Sequence, residues 1–573
     1  MRTFYSFIFI VIIIVITTIG FTNFEASSIK KDGSAVSSGN KQSMNEYSMK
    51  PAEIIAMRER IVDFKEYSLL DYAADRVADK RINESLNKYV ITTLNKTKLR
   101  SLLNTRDENI TVEIPLSRTN SVQLKLFKVK LYSDDFSIFA LTKNSRTLQQ
   151  INKGVFYRGI INNDEKSLAC LSVYADHITG FYSDNSGNYE FGRLGSNQDQ
   201  YIFYKTSDDK NKNVFKCGLG EDEDKFVKKI KKHIIEENPA SQRPMKIYFQ
   251  TDYNLYLSIG QDPQAINNYV TAIFNYVATM YQNDNLPLEL GRLEFWQSAD
   301  PYVGGNTFAL VKEFTAFMQD EYSLDIYNLL TTRFGDNNAI ARGIRVLCDP
   351  YDPIDSSGRY TCSSIALNII PPYPQYSNVA LAVGHEMGHI IGSRHTHACV
   401  WPVFSGGGIG SIDTCVITGE NAPCYQSGTQ PNAIFNGTLM SYCDLGGGSV
   451  NASLGFGPLP GDTCRLRYSQ APCLSVGIQN ISSEIPENFK LYQNYPNPFN
   501  PVTYIKFDIV RSSQVKLEVY DIRGRLIEII FNGFLQAGKY SIDWRADIYS
   551  SGVYYYRLST DKNSLMNKMI LLK

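Results

Sequence analysis

An excess of charge of either sign is missing from this chain: its 573 residues carry 58 Lys and Arg against 58 Asp and Glu. Without a net field there is no electrostatic case for a nucleic-acid or anionic-membrane partner. One basic run, Lys228-Lys229-Ile230-Lys231-Lys232, is local and reads as a solvated linker open to proteases. After Ile19 no segment is apolar enough to span a bilayer. Cysteine is absent before Cys170, which argues against a lipid-anchored start. No Cys-x-x-Cys pair occurs, so nothing supports a thiolate cluster. The Gly-rich run Ser405-Gly406-Gly407-Gly408-Ile409-Gly410 has no lysine after it and reads as an insertion rather than a phosphate loop. Histidine is scarce as well, six in all, yet four of them fall between 385 and 397.

Those four stand in Gly384-His385-Glu386-Met387-Gly388-His389-Ile390-Ile391-Gly392-Ser393-Arg394-His395-Thr396-His397. The apolar, proline-free stretch Asn378 to Val383 before them predicts a buried helix, on which His385 and His389 share a face one turn apart. Gly392 can take positive φ, end the helix and turn the chain so that His395 arrives as a third ligand. Three neutral imidazoles around Zn2+ leave a fourth position for water, and Glu386, beside the first ligand, is placed to take the water's proton. The extended spacing, with its glycine and third histidine, is far more specific than His-Glu-x-x-His alone.

The extended motif resembles that of the metzincin zinc endopeptidases, which carry a methionine turn under the metal. Gly437-Thr438-Leu439-Met440-Ser441-Tyr442 matches that turn, with Met440 as its methionine. The order of segments is most similar to the reprolysin (adamalysin) branch. Two positions depart from it. Reprolysins usually have Asp after the third histidine, where this chain has Thr396 and then His397, a spare imidazole expected beside the site or at the surface. Tyr442 stands where astacins and serralysins carry a fifth ligand and oxyanion stabiliser, and packing beside Cys443 is the competing reading. Lys216-Cys217-Gly218 resembles the cysteine switch of reprolysin prodomains, a thiolate in the fourth zinc position, with a Cys170–Cys217 disulfide as the alternative. A structural Ca2+ is compatible with such a domain, but no residue pattern supports one.

Length predicts three or four domains. Residues 4–19 form an almost continuous apolar run after Arg2, read as a secretory signal (1–26), with an uncleaved anchor as the competing reading. The stretch 27–50 is polar and low in apolar residues, and 51–100 has a helical, charged pattern. From about 110 strand alternation takes over, and Gly154 to Gly159, Ser167 to Ser172 and Ile178 to Phe181 resemble the β-rich reprolysin propeptide, here 27–242. An α/β catalytic domain is expected over 243–475, a mixed sheet with the motif helix beneath it: a first strand at Lys246 to Asp252, a helix from Asp262 to Met280, a strand at Leu288 to Trp296 and an edge strand at Ala341 to Leu347. Eight of the ten cysteines lie between Cys348 and Cys473, and export implies oxidation, so four disulfides are expected.

After a linker at 476–488, short strands with turn signals over 489–573 predict an all-β sandwich. Its marks, among them Tyr495-Pro496-Asn497-Pro498-Phe499-Asn500 and the final Lys568-Met569-Ile570-Leu571-Leu572-Lys573, resemble the C-terminal sorting domain of type IX secretion. An adhesive or carbohydrate-binding sandwich is the alternative. The resemblances imply a multidomain zymogen exported through the periplasm to the surface or medium, acting on protein or peptide substrates, partnered by the type IX machinery, and touching membrane only through its signal segment. A catalytically inert metzincin scaffold used for binding is the other class of reading; Glu386, which mere metal binding would not require, weighs against it.

Overall fold

The computed structural model describes residues 49–573 apart from 75–79, 196–198, 211–215, 220–241, 322, 336, 366–373, 404–407, 414, 417–423, 425–435, 446–447, 475–477, 483, 547–548 and 573. The predicted signal segment, the lysine run at 228–232 and the first half of the Gly-rich run therefore lie outside the described residues. Among the described residues no helix is long and apolar enough to cross a membrane.

Four of the sheets carry the fold. The first has ten strands, in spatial order Lys65–Tyr67, Asn109–Pro115, Ser121–Val129, Val155–Ile161, Asp164–Val173, Ile178–Asp184, Gly187–Arg193, Gln200–Lys205, Val90–Leu94 and Leu70–Ala74. Its neighbours pair antiparallel except at the Lys65–Tyr67 edge, which runs parallel to Asn109–Pro115. The region 51–100 is not simply helical. Short helices at Pro51–Arg58, Lys80–Ser85 and Lys96–Thr105 alternate with strands, because β-branched residues in Val90–Leu94 favour the pleated sheet.

A second, mixed sheet of eight strands runs Lys216–Cys217, Asn338–Ala341, Tyr360–Ser364, Ile326–Thr331, Met245–Thr251, Leu288–Trp296, Tyr132–Leu141 and Arg146–Leu148. The expected strands near 246–252 and 288–296 are present. The one expected at 341–347 ends at Ala341, since Gly343 (φ +159°) and Arg345 (φ +67°) turn the chain out of the pleat. Three strands of this sheet, Tyr132–Leu141, Arg146–Leu148 and Lys216–Cys217, come from the segment read as propeptide.

Between the two sheets lies the helix Pro263–Asn283, started by Asp262, whose side chain accepts from the Gln264 N–H, and by Pro263 in the first turn. It is buried almost all round and packs against the helix Tyr376–Ile391. The last module consists of two four-stranded sheets around Phe507, Leu517, Ile542, Trp544 and Tyr556. Its first strand, Ile478–Ser482, falls inside the stretch read as a linker and pairs with Gly538–Arg545.

Three disulfides form rather than four: Cys348–Cys473, Cys399–Cys424 and Cys415–Cys443. Cys362 and Cys464 take no part in one, because each is buried in a different hydrophobic cluster. The alternative Cys170–Cys217 bridge is also absent.

Candidate metal centre

The helix Tyr376–Ile391 buries Val379, Ala380, Val383, Met387 and Ile390 in the central core, and this orientation turns His385 and His389 inward from one face. Gly392 (φ +136°) stops the helix, and the N–H groups of Gly392 and Ser393 both donate to the Gly388 carbonyl at 3.0 Å. The reversed chain delivers His395. Its Nε2 lies 3.2 Å from that of His389, which lies 3.2 Å from that of His385.

Those nitrogens are acceptors. A carbonyl oxygen only accepts, so His385 Nδ1 donates to Leu439 O (2.8 Å) and His389 Nδ1 donates to Ser393 O (2.9 Å), leaving lone pairs on both Nε2 atoms. Burial, then the neighbouring His395, hold His385 well below its usual pKa and therefore neutral. Lone pairs converging at this distance repel each other unless a cation lies between them.

Cys217 completes the set. Its strand pairs with Asn338–Ala341, the Gly218 N–H donates to Ala339 O at 2.6 Å, and its Sγ comes to 3.6 Å from His389 Nε2. The four donor atoms all lie within 4.8 Å of one another. A tetrahedral zinc, with nitrogens at about 2.0–2.1 Å and sulfur at about 2.3 Å, sets N···N edges of about 3.3 Å and N···S edges of about 3.6 Å. The donor set fits that ion. Burial, then the charge of Glu386, push the Cys217 thiol up to about 12, and a bound zinc would overturn that balance by deprotonating it. A second cluster, Asp413, Cys415 and Cys443, is spent on the Cys415–Cys443 disulfide.

Glu386 is buried on the same helix, near enough for its charge to act on Cys217. Met440 lies under the helix at the closest of approaches: a Cβ at Gly388 would stand 2.7 Å from the Met440 sulfur and 2.7 Å from the Phe456 ring. The turn also works through its backbone, since Leu439 O orients His385 and Met440 O accepts from the Thr396 N–H at 3.0 Å. Tyr442 is buried beside the site, its ring 4.6 Å from that of His395 and 4.5 Å from that of His397. His397 is not at the surface. It is buried, stacked on His395 at 4.9 Å and outside the four donors.

Sequence reasoning missed the second layer. Thr396, at the sequence position where reprolysins carry Asp, donates its hydroxyl to the carboxylate of Asp413 further along the chain. Glu190, 195 residues before His385, reaches the start of the motif helix and accepts from the Tyr376 N–H (2.6 Å) and the Ser377 hydroxyl (2.6 Å). Only the absence of a capping side chain at Gln375 hinted that one must come from elsewhere.

Residues 241–446 match the metallo-peptidase family M12, and residues 493–572 match the secretion system C-terminal sorting domain. Among solved structures, metalloproteinase-II from Bacteroides fragilis is similar at 12% identity and a TM-score of 0.30, over 58% of this chain and 96% of that one. An engineered protein, structural-genomics target OR128, is similar at 9% identity and a TM-score of 0.12, over 56% of this chain and 76% of that one. Overlays this loose bear no weight, and the two family matches do. With those matches the chain is a zinc metalloendopeptidase whose residues 241–446 are similar to family M12 and whose residues 493–572 are similar to the secretion sorting domain.

Proposed function

We propose that the protein is exported as a zymogen: signal 1–26, propeptide 27–242, catalytic domain 243–475 and sorting sandwich 489–573, delivered through the periplasm by the type IX machinery. His385, His389 and His395 hold the metal in this reading, over a floor made by Met440. The observation that carries it is the convergence of three imidazole nitrogens and one sulfur within 4.8 Å of one another, with Glu386 adjacent. Bound there, zinc supplies Lewis acidity, which acidifies water to a pKa of about 7 and polarises a peptide carbonyl.

The chain's own groups do the rest. Glu386 takes the proton of the attacking water and passes it to the leaving amine. Its burial keeps bulk water from competing for that proton. Cys217 holds the fourth donor position in the precursor, and its strand, laid along Asn338–Ala341, blocks the same edge. Withdrawing Lys216 to Gly218 admits substrate and water together. Tyr442 packs the imidazole of His395 in place from the side.

The test compares two variants of the activated enzyme. Glu386→Gln is expected to retain zinc by elemental analysis while peptide hydrolysis falls by about 10²–10⁴-fold, the usual worth of a general base. His395→Ala is expected to lose zinc as well. Substantial proteolysis by the Glu386 variant would sink the mechanism.

A further inference from the structure

The β-rich segment before Lys205 is joined to the peptidase by more than the switch cysteine. Its strand Tyr132–Leu141 runs parallel to Leu288–Trp296, in register from Leu293 with Ile138 to Trp296 with Leu141. Without it, a nine-residue strand with eight buried positions becomes an open sheet edge, the feature that soluble proteins avoid leaving uncovered. Arg146, on the next strand, donates to the buried Glu294 from Nε at 2.9 Å. Removing the segment leaves that carboxylate without its guanidinium.

The helix Pro263–Asn283 carries the same message in its sequence. Its 21 residues include no Asp, Glu, Lys or Arg, although Asn267, Thr271, Asn275, Thr279 and Gln282 form a polar stripe along it. A helix that faces water carries charge on its outer face. This stripe instead meets the ten-stranded sheet: Arg158 donates to Asn275 Oδ1 (3.1 Å) and Gln282 Oε1 (3.0 Å), and Tyr174 Oη lies 2.9 Å from Thr271 Oγ1. Leu131, Ile138, Phe156 and Phe181 share one core with Val277 and Ile390. Glu190 supplies the N-terminal cap that the motif helix lacks of its own. The switch strand, by contrast, is two residues long.

We infer that the segment 50–205 is a permanent subunit of the mature peptidase, which stays bound non-covalently after the chain is cut between 220 and 241, so that activation withdraws only the Cys217 strand. This rests on the zymogen reading above for the cut itself. The interaction surface is the helix Pro263–Asn283 with the edge of Leu288–Trp296, and the partner that fits it is the chain's own first half.

The experiment inserts a site-specific protease sequence after Lys232 in the full chain, cuts it, and follows both fragments by size-exclusion chromatography and native mass spectrometry. The expected result is one species at the precursor's mass containing both fragments, with a single thermal transition. Separation of the fragments under native conditions overturns the inference, whether the catalytic fragment stays active alone or aggregates. Because the readout is mass, it is independent of latency: an inactive Cys217→Ser precursor would sink the switch while leaving co-elution to stand or fall separately.

Discussion

Thr396 and Asp413 show how a contact beside the site can escape a reading of the motif, since the Thr396 hydroxyl bonds a carboxylate 17 residues away. The three histidines and Glu386 were legible because their spacing encodes one helix face and one reversal. What orients them was not, because the Leu439 and Ser393 carbonyls that fix the tautomers of His385 and His389 are backbone groups with no residue signature. The four-disulfide expectation failed for a related reason: an even count says nothing about which thiols the packing brings together. Tyr442 offers a test at this scale. Tyr442→Phe keeps the ring against His395 and His397, so zinc content is expected to be unchanged and kcat to change by less than about tenfold. A loss of about 10²-fold or more, the worth of an oxyanion donor, would assign the phenol a direct role instead.

Among the elements, the motif helix was readable end to end, from its apolar face to the stop at Gly392. Gly388 was not singled out, though its missing Cβ is what lets Met440 and Phe456 approach the helix backbone. Gly388→Ala is expected to destabilise the protein by about 1–3 kcal/mol, the usual cost of overpacking a filled core. Chemical denaturation of the zinc-loaded protein measures it, and a change within error would mean that the Met440 turn yields freely. The strand Tyr132–Leu141 was legible as part of a β-rich region but not as a member of the catalytic sheet. Alternation specifies which side chains face the core; it does not name the partner strand, and the pairing with Leu288–Trp296 reaches across the rest of the ten-stranded sheet, the Lys216–Cys217 strand and the helix Pro263–Asn283.

For the molecule as a whole, the order of segments was legible at both ends of the argument, the zinc motif and the terminal sandwich, because each carries its own local marks. The division between propeptide and catalytic domain was drawn from the chain order, whereas the core disregards it: residues on both sides of 242 pack into one cluster. The sorting module has its own core and contributes none of the four converging donors. Deleting 489–573 is therefore expected to leave a folded, activatable peptidase that accumulates in the periplasm, as cell fractionation would reveal. Normal secretion of the truncated protein would contradict that assignment. The central claim is that one zinc ion is held by three imidazoles and capped by Cys217 until activation, and zinc K-edge X-ray absorption of the intact precursor tests it most directly. The account predicts about three nitrogen neighbours at about 2.0–2.1 Å and one sulfur at about 2.3 Å, with the sulfur lost on activation. A precursor spectrum with no sulfur shell, or one whose sulfur persists in the active enzyme, would contradict it.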